Sequence, residues 1–268
     1  MFDKILIATD NSPLIQSGME YTSTLFPDAE YHLINVLNTK DKSVPKTDLI
    51  ESHMKKEAEE AIFQSKKILK DMGVEKIKTA MPIGVPSEEI LDYINKNQID
   101  LLAIGTHSKS GAQEIHIGDT ASDTLKVVSV PSLIFARRFE PNIPKTIFNP
   151  TTFSSYSVDA TMIALDLAEM FDASLTTYHI GKKDPGAASR RVKRVARKAG
   201  IDFELIVNKR ATEEEILNES AKYDFMVGSR GRGGFLYKLR FLFPKFAFSK
   251  IERILIAESE VPYIMSGD

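Results

Sequence analysis

The sequence has no cysteine and no long apolar segment. Without cysteine, the chain has no disulfide, no thiol nucleophile and no thiolate ligand for a metal. No run of about 18 apolar residues is present to cross a bilayer. The charged residues among positions 1–20 are also unlike a secretory signal. We therefore expect a cytoplasmic protein.

Two motifs of catalytic loops are missing as well. The absence of GxxxxGK[ST] removes support for the coupled phosphate and magnesium chemistry of P-loop enzymes. The absence of GxSxG removes support for serine hydrolysis at a nucleophile elbow. The five histidines are scattered, without the carboxylate spacing of a metal site. We expect neither a catalytic residue nor a metal site.

Charge is nearly balanced over the whole chain. Lysine and arginine number 35, aspartate and glutamate number 37, and the net charge is -2. This balance gives no reason to expect nucleic acid as a partner. The two halves differ, because acids outnumber bases in the first half and bases outnumber acids in the second. An anionic partner is therefore expected to meet the second half.

Short apolar runs alternate with helical patterns along the first half. FDKILIATD is followed by a predicted helix from Ser12 to about Phe26, and the run YHLINVL is followed by a long charged helix. A helix opening at Pro86 precedes the run DLLAIGTH, and another near Gly118 precedes VPSLIFA. Apolar strands separated by helices indicate a parallel sheet covered on both faces. The predicted fold class is α/β, with five parallel strands.

The second half repeats the element order of the first. ILIATDNS at 5–12 aligns with IFNPTTFS at 147–154. VPSLIF at 130–135 aligns with VPYIM at 261–265. A repeat of this length predicts a duplicated domain.

The repeat predicts two tandem domains, at 1–138 and 145–268. Residues 139–144 join them and contain two prolines, as a short linker does. Within the second copy, an aromatic and basic insertion lies near 235–248. The stretch 228–250 around it contains no acid, and its aromatics are expected to pack on the domain's own cleft, the other domain, a second subunit or a membrane surface.

Ligands of open α/β sheets bind beyond the carboxyl ends of the strands. Asp10 ends the first strand just before a helix begins. Its carboxylate could cap that helix or accept a hydrogen bond from an adenine amino group, and the sequence leaves both interpretations open. Gly105 and Gly111 bracket a turn after the fourth strand, and Gly118 opens the next helix. These glycines serve either a phosphate or only the sterics of the turn.

Together, the ATDNS start, the glycine signature after the fourth strand and the final VPSLIF strand resemble the universal stress protein family in its tandem form. The resemblance implies two Rossmann-like (HUP-type) domains and binding of ATP or AMP. It places adenine at Asp10 and at the main chain of Val36, and ribose and phosphates at the glycine signature. The implied nucleotide-binding residues are Asp10, Val36, Gly105, Thr106, His107, Ser108, Gly111, Gly118, Asp119 and Thr120.

The chain departs from the family pattern in both copies. Ser108 replaces a signature glycine, and Asp119 stands where the pattern has Ser or Thr. An anionic side chain repels a triphosphate, so AMP, or a nucleotide with a divalent cation, suits the site better. The sequence leaves the need for Mg²⁺ open. In the second copy, Thr152 replaces the adenine-binding aspartate and Ser249 replaces the last glycine, so the first copy is the better candidate.

The resemblance implies a stress-response sensor or adaptor with at most slow ATP hydrolysis. The alternative is a scaffold without nucleotide that acts through protein or membrane contacts of 235–248. The family's last strands pair, so the two domains are expected to form an intramolecular pseudo-dimer, and a homodimer or an unknown protein partner stays open. A basic helical segment at 190–200 is interpreted as a solvated face or as a surface for an anionic partner or membrane.

Overall fold

A computed structural model of the protein describes residues 1–38, 48–106, 117–154, 157–181, 185–230 and 248–267. The chain divides into two compact units, Met1–Asn142 and Ile143–Asp268. Strands and helices alternate in both, and every strand pair within a unit for which the register is resolved is parallel. The predicted α/β class is confirmed.

The first unit has its strands in the order β3-β2-β1-β4-β5. Right-handed crossovers then put α1 and α2 on one face of the sheet and α3 and α4 on the other. The contacts agree, because α1 packs against α2, and α3 against α4. The elements are β1 (Lys4–Ala8), α1 (Pro13–Leu25), β2 (Glu30–Ile34), α2 (Asp48–Asp71), β3 (Ile77–Ala80), α3 (Pro86–Asn97), β4 (Leu101–Gly105), α4 (Asp119–Val127) and β5 (Ser132–Phe135).

The second unit has the same topology, β8-β7-β6-β9-β10. Its helices also pair, α5 with α6 and α7 with α8. The elements are β6 (Thr146–Thr151), α5 (Val158–Phe171), β7 (Ser174–Ile180), α6 (Gly186–Ala199), β8 (Phe203–Asn208), α7 (Glu213–Ser220), β9 (Phe225–Gly228), α8 (Lys250–Glu258) and β10 (Tyr263–Met265).

The core of the first unit explains why its strands read as continuous apolar runs. Ile5, Leu6 and Ile7 of β1 are all fully buried, because helices cover both faces of the sheet. Helix α1 approaches this sheet closely at Gly18. A Cβ atom there would lie 2.7 Å from the ring of Phe135 on β5, so only glycine allows this packing.

Helix α1 begins where the sequence predicts. Ser12 is its N-cap and accepts a hydrogen bond from the Ile15 N–H at 3.4 Å, and Pro13 occupies the first turn. Proline suits that position because its missing N–H would have no partner within the helix. The chain therefore passes from β1 to α1 through a short turn, and Ser12 and Pro13 set the point at which the helix begins.

A polar cluster lies near the start of β2. The buried His32 contacts the Tyr93 hydroxyl at 2.9 Å through Nδ1 and the Glu30 carboxylate at 2.7 Å through Nε2. Glu30 also pairs with Lys78 at 2.9 Å. Burial lowers the pKa of His32, and hydrogen bonds from Lys78 and His32 lower the pKa of Glu30. Burial thus favours the neutral imidazole, and in that form Nε2–H donates to the carboxylate while Nδ1 accepts from the phenol.

Most of the aromatic insertion lies outside the described residues, which resume at Phe248. Phe248 itself is buried. Where the other aromatics of 235–248 pack stays a prediction. Across the described residues, no helix is long and apolar enough to cross a membrane.

Candidate functional site

A cleft of about 380 Å³ opens beyond the carboxyl ends of β1, β2 and β4. Its position is the one at which open α/β sheets bind ligands, where the strand order changes direction beside β1. The described residues that line it are Ala8, Thr9, Asp10, Ser12, Ile15, Ile34, Asn35, Val36, Pro86, Ile90, Ile104, Gly105, Thr106, Gly118, Asp119, Thr120 and Ala121.

The structure brings seven of the ten predicted site residues to this one cleft. They come from three strand ends and from the start of α4: Asp10, Val36, Gly105, Thr106, Gly118, Asp119 and Thr120. The other three, His107, Ser108 and Gly111, lie outside the described residues.

Asp10 holds the turn that leads from β1 to α1. Its Oδ1 accepts the Ser12 N–H at 2.9 Å, while Ser12, not Asp10, caps the helix. The side chain is exposed, and its second carboxylate oxygen has no partner within the described parts of the chain. The capping interpretation of Asp10 therefore does not hold in the structure, and one anionic oxygen stays available to a ligand.

The strands β1 and β2 separate next to Asp10. The Thr9 N–H still donates to the Ile34 carbonyl at 2.9 Å, which continues the ladder. The next acceptor, the Thr9 carbonyl, receives the Asn35 side-chain amide at 2.8 Å instead of a main-chain N–H. Asn35 therefore ends the ladder and opens the gap between the two strands.

The main chain of Val36 faces this gap. The N–H groups of Asn35 and Leu37 donate to carbonyls of Ala80 and Pro82, on the β3 side. Peptide groups alternate in direction along a strand, so those of Val36 point the other way, toward β1. Within the described residues, the N–H and C=O of Val36 have no hydrogen-bond partner. Val36 thus offers one donor and one acceptor beside Asp10.

Gly105 and Gly118 shape the opposite wall. A Cβ atom on Gly105 would lie 3.1 Å from the Leu14 side chain, so the glycine allows α1 to pack close to the end of β4. Gly118 is the N-cap of α4 and carries no side chain to close that helix end. Its own N–H donates to the Thr106 carbonyl at 2.7 Å, which ties the start of α4 to the end of β4.

The first turn of α4 lines the cleft through Asp119, Thr120 and Ala121. The first N–H groups of a helix have no acceptor within the helix, and the helix dipole adds positive potential there. An anion is therefore favoured by the backbone at this wall. The exposed carboxylate of Asp119 carries the opposite sign and counts against a highly charged anion.

Two polar residues that support the site were not predicted from the sequence. One is Asn35, whose side chain opens the gap before Val36. The other is Ser65 on α2, whose hydroxyl contacts that of Thr9 at 2.8 Å and anchors the end of β1. Asn35 follows directly on an apolar run, which was a local signal for a polar residue at a strand end. Ser65 had none, because its partner lies 56 positions away.

A second, more open cavity of about 660 Å³ adjoins the cleft. The two share Asp10, Asn35 and Val36, and α2 forms the outer wall with residues that include His53 and Lys56. The space beside Asp10 and Val36 is therefore open from two directions.

The second unit keeps the turn of the first but loses its carboxylate. Phe153 has φ of 52°, matching 58° for Asn11, and its N–H donates to the Thr151 hydroxyl at 3.1 Å. The Asn11 N–H donates in the same way to the Thr9 hydroxyl at 3.2 Å. Thr152 replaces Asp10, so the turn there presents a neutral hydroxyl.

In the second unit, the N-terminus of the helix that corresponds to α4 is capped by side chains. Ser249 is the N-cap of α8, and its hydroxyl accepts the Glu252 N–H at 3.3 Å. The Glu252 carboxylate accepts the Ser249 N–H at 2.6 Å in return. This reciprocal capping box satisfies helix-end donors, which the glycine at the N-cap of α4 cannot do because it has no side chain. Its SKIE sequence was a readable signal, because a serine followed three places later by glutamate is the pattern of such a box.

Buried polar side chains surround the closed helix end. Arg230, Glu252 and Tyr263 are each at most 3% exposed. Burial raises the pKa of Tyr263, with Glu252 raising it further and Arg230 opposing the shift. A Cβ atom on Gly228 would lie 3.0 Å from the Tyr263 hydroxyl, so this side chain occupies the space beside the second glycine loop.

Comparisons with known proteins agree with this geometry. A model of the universal stress protein family matches residues 1–136. The universal stress protein MJ0531 of Methanocaldococcus jannaschii is 31% identical over 140 residues, covering 50% of this chain and 82% of that protein. The universal stress protein MJ0577 of the same organism is 23% identical over 160 residues, covering 52% and 97%. A universal stress protein structure from Archaeoglobus fulgidus DSM 4304 matches with a TM-score of 0.79 at 20% identity, covering 99% of this chain and 97% of that one.

Proposed function

The chain belongs to the universal stress protein family, and from this premise we propose that its first unit binds an adenine nucleotide, ATP or AMP. In this proposal the nucleotide sets the state of a stress-response sensor or adaptor. Adenine lies between Asp10 and Val36, and the phosphates lie toward Gly118 and the start of α4.

The observation that carries the proposal is that one cleft is lined by a carboxylate oxygen of Asp10 and the peptide group of Val36, which have no hydrogen-bond partner among the described residues. Adenine presents an amino donor beside ring nitrogens that accept hydrogen bonds. The open oxygen of Asp10 can accept from that amino group, and the Val36 N–H can donate to a ring nitrogen. The cleft at this point therefore offers one acceptor and one donor, the complement of the adenine edge.

The phosphate end of the cleft favours a low charge. The start of α4, where the N-cap residue is a glycine, attracts an anion through its N–H groups and dipole. Asp119 in the same turn repels it, and the repulsion grows with each added phosphate charge. AMP is therefore the preferred ligand, and ATP requires a divalent cation such as Mg²⁺ to offset Asp119.

Binding, with at most slow hydrolysis, is the activity that suits these residues. Asp10 and Asp119 are the titratable side chains among the described residues of the cleft. No histidine or lysine is among the described residues that line this cleft, so they do not supply an obvious pair of groups for proton transfer. The alternative of a scaffold without nucleotide rests on 235–248, most of which lies outside the described residues.

The test is whether the purified chain carries or takes up an adenine nucleotide. Mass spectrometry of the denatured supernatant detects a nucleotide that copurifies. Melting temperature with added ATP, ADP or AMP detects uptake, since a ligand at 100 times its Kd stabilises by about 2.7 kcal/mol. No copurified nucleotide and no shift at millimolar ligand would overturn the proposal.

Inosine monophosphate is the matched control ligand. It has a carbonyl oxygen in place of the amino group of AMP and a hydrogen on the neighbouring ring nitrogen, so the donor and acceptor at this edge of the base are exchanged. That oxygen would face the Asp10 carboxylate without a proton between them, so the hydrogen bond is lost and two acceptors repel each other. We expect a smaller melting shift with this ligand than with AMP. Equal shifts would contradict the role given to Asp10.

A further inference from the structure

Helix α6 of the second unit has an unusual division of its side chains. Its sequence GAASRRVKRVARKA contains no acidic residue. Ser189, Val192 and Ala196 are buried, and the helix packs against α5 and β8. The apolar stripe of the helix is therefore already used within its own unit.

Six basic side chains cover the rest of the helix. All are exposed: Arg190, Arg191, Lys193, Arg194, Arg197 and Lys198. Exposed acids lie on the neighbouring elements, Asp166 and Glu169 on α5 and Glu204 on β8. Over the described residues, however, none of the six bases forms a side-chain hydrogen bond or ion pair. The positive charge of this face is therefore not neutralised by ion pairs with the part of the chain that the structure describes.

The angular spread of the bases limits the shape of the partner. At 3.6 residues per turn, the six directions span about 160° around the helix axis, centred opposite the buried stripe. A flat anionic surface can contact only the middle of such an arc. A concave anionic surface, with charges on both walls of a groove, can contact all of it.

The residue types on the exposed face of α6 limit which anionic partner it can bind. Four of the six bases are arginine, whose planar guanidinium binds phosphate with two parallel hydrogen bonds. The helix carries no aromatic residue to stack on unpaired bases, which counts against a single strand. Its apolar stripe is buried, so it has nothing to insert into a membrane interface.

We propose that the exposed face of α6 docks in the major groove of double-stranded DNA and binds its phosphates without reading sequence. A helix with its side chains is about 10–12 Å across, and the major groove is about 12 Å wide. This differs from the expectation drawn from the net charge of -2, because that sum includes faces that a partner of α6 does not contact. The proposal does not depend on nucleotide binding in the first unit.

Fluorescence anisotropy tests this proposal. The full chain is titrated into a labelled DNA duplex of about 20 base pairs of arbitrary sequence. We expect non-specific affinity in the range of about 10⁻⁴ to 10⁻⁶ M near physiological salt. Log K should fall against log salt with a slope of about -0.9 for each phosphate contacted, so roughly -5 for six. A sequence change in the duplex should have little effect.

A triple variant and a matched control isolate the helix. Arg190→Gln, Arg194→Gln and Arg197→Gln together should weaken binding and reduce the size of the slope by about 3. Lys55→Gln, Lys67→Gln and Lys70→Gln together change the net charge equally, at exposed positions on α2. They should leave both quantities nearly unchanged. Circular dichroism melting checks that both variants remain folded.

Four outcomes would overturn the proposal. These are no binding to the duplex at low salt, equal binding by the α6 variant, binding to anionic phospholipid vesicles but not to the duplex, and equal affinity for duplex RNA. The last is informative because the major groove of RNA is too narrow to admit a helix. Equal affinity there would mean that the groove geometry plays no part.

Discussion

Gly118 and Ser249 occupy the same place in the two units, as the N-cap residues of α4 and α8, but only Ser249 closes its helix with its own side chain. The hydroxyl of Ser249 and the carboxylate of Glu252 satisfy helix-end donors that α4 presents to the cleft. The same duplicated fold thus has a glycine N-cap at this helix in one unit and a serine-glutamate capping box in the other. This difference supports placing the ligand in the first unit.

The first prediction concerns Asp10. Asp10→Asn keeps an oxygen for the Ser12 N–H but turns the open acceptor into a donor, which would face the amino group of adenine. Loss of a charged hydrogen bond costs about 1.5–3 kcal/mol, so we expect Kd for AMP to rise roughly 10- to 100-fold. Isothermal titration measures it. Thr152→Asn at the equivalent turn of the second unit is the control and should leave Kd for AMP unchanged. A larger effect of Thr152→Asn than of Asp10→Asn would mean that the nucleotide binds in the second unit and that the proposal is wrong.

The second prediction concerns Asp119. Asp119→Ser removes a negative charge from the phosphate end of the cleft. One charge pair near 4 Å is worth about 1–4 kcal/mol at effective dielectric constants between water and a protein surface. We expect affinity for ATP without divalent cation to increase about fivefold or more, and affinity for AMP to increase less.

The control for Asp119 is Asp123→Ser, one turn further along α4. That exposed carboxylate pairs with Lys126 at 2.7 Å and does not line the cleft. Both variants change the net charge by the same amount. Equal gains in ATP affinity would mean that overall charge, and not the position of Asp119, decides the preference.

The sequence predicted the strand and helix order and the start of α1, because these follow from local apolar runs and from the Ser12-Pro13 pair. It also brought together Asp10, Val36 and Gly118, through a resemblance to a known pattern. It did not predict that Asn35 ends the β1 and β2 ladder. That depends on which carbonyl the side chain reaches in a neighbouring strand, which no local pattern contains.

The third prediction is a pH dependence centred on His32, which faces Glu30, Lys78, Tyr93 and, at longer range, Lys4. Burial lowers the pKa of His32 from 6.5 in the unfolded chain, so the unfolded state binds more protons just below pH 6.5. The free energy of unfolding should therefore fall as pH drops below about 6.5. The lowered pKa of Glu30 adds a further loss below its ordinary value of 4.5.

Urea unfolding between about pH 7 and 5 measures this dependence. His32→Gln should flatten the profile in that range, because the group that gains a proton on unfolding is gone. His53→Gln, at an exposed position on α2, is the control and should keep the profile of the parent chain. An unchanged slope in His32→Gln would contradict the assignment.

The fourth prediction concerns the packing of α1 on β5. Gly18→Ala places a methyl group 2.7 Å from the Phe135 ring, which must move. Overpacking of this kind costs about 1–3 kcal/mol. Adding Phe135→Leu should return part of the loss, which a double-mutant cycle of chemical unfolding measures. Strictly additive effects would mean that the two side chains do not press on each other.

The central claim is that the nucleotide occupies the first unit and not the second, and hydrogen exchange of backbone amides with and without AMP tests it most directly. We predict slower exchange at Val36 and in the first turn of α4, with no change at the start of α8, where Ser249 and Glu252 already cap the helix. Protection confined to α8, or binding of AMP without protection at either Val36 or α4, would contradict the account.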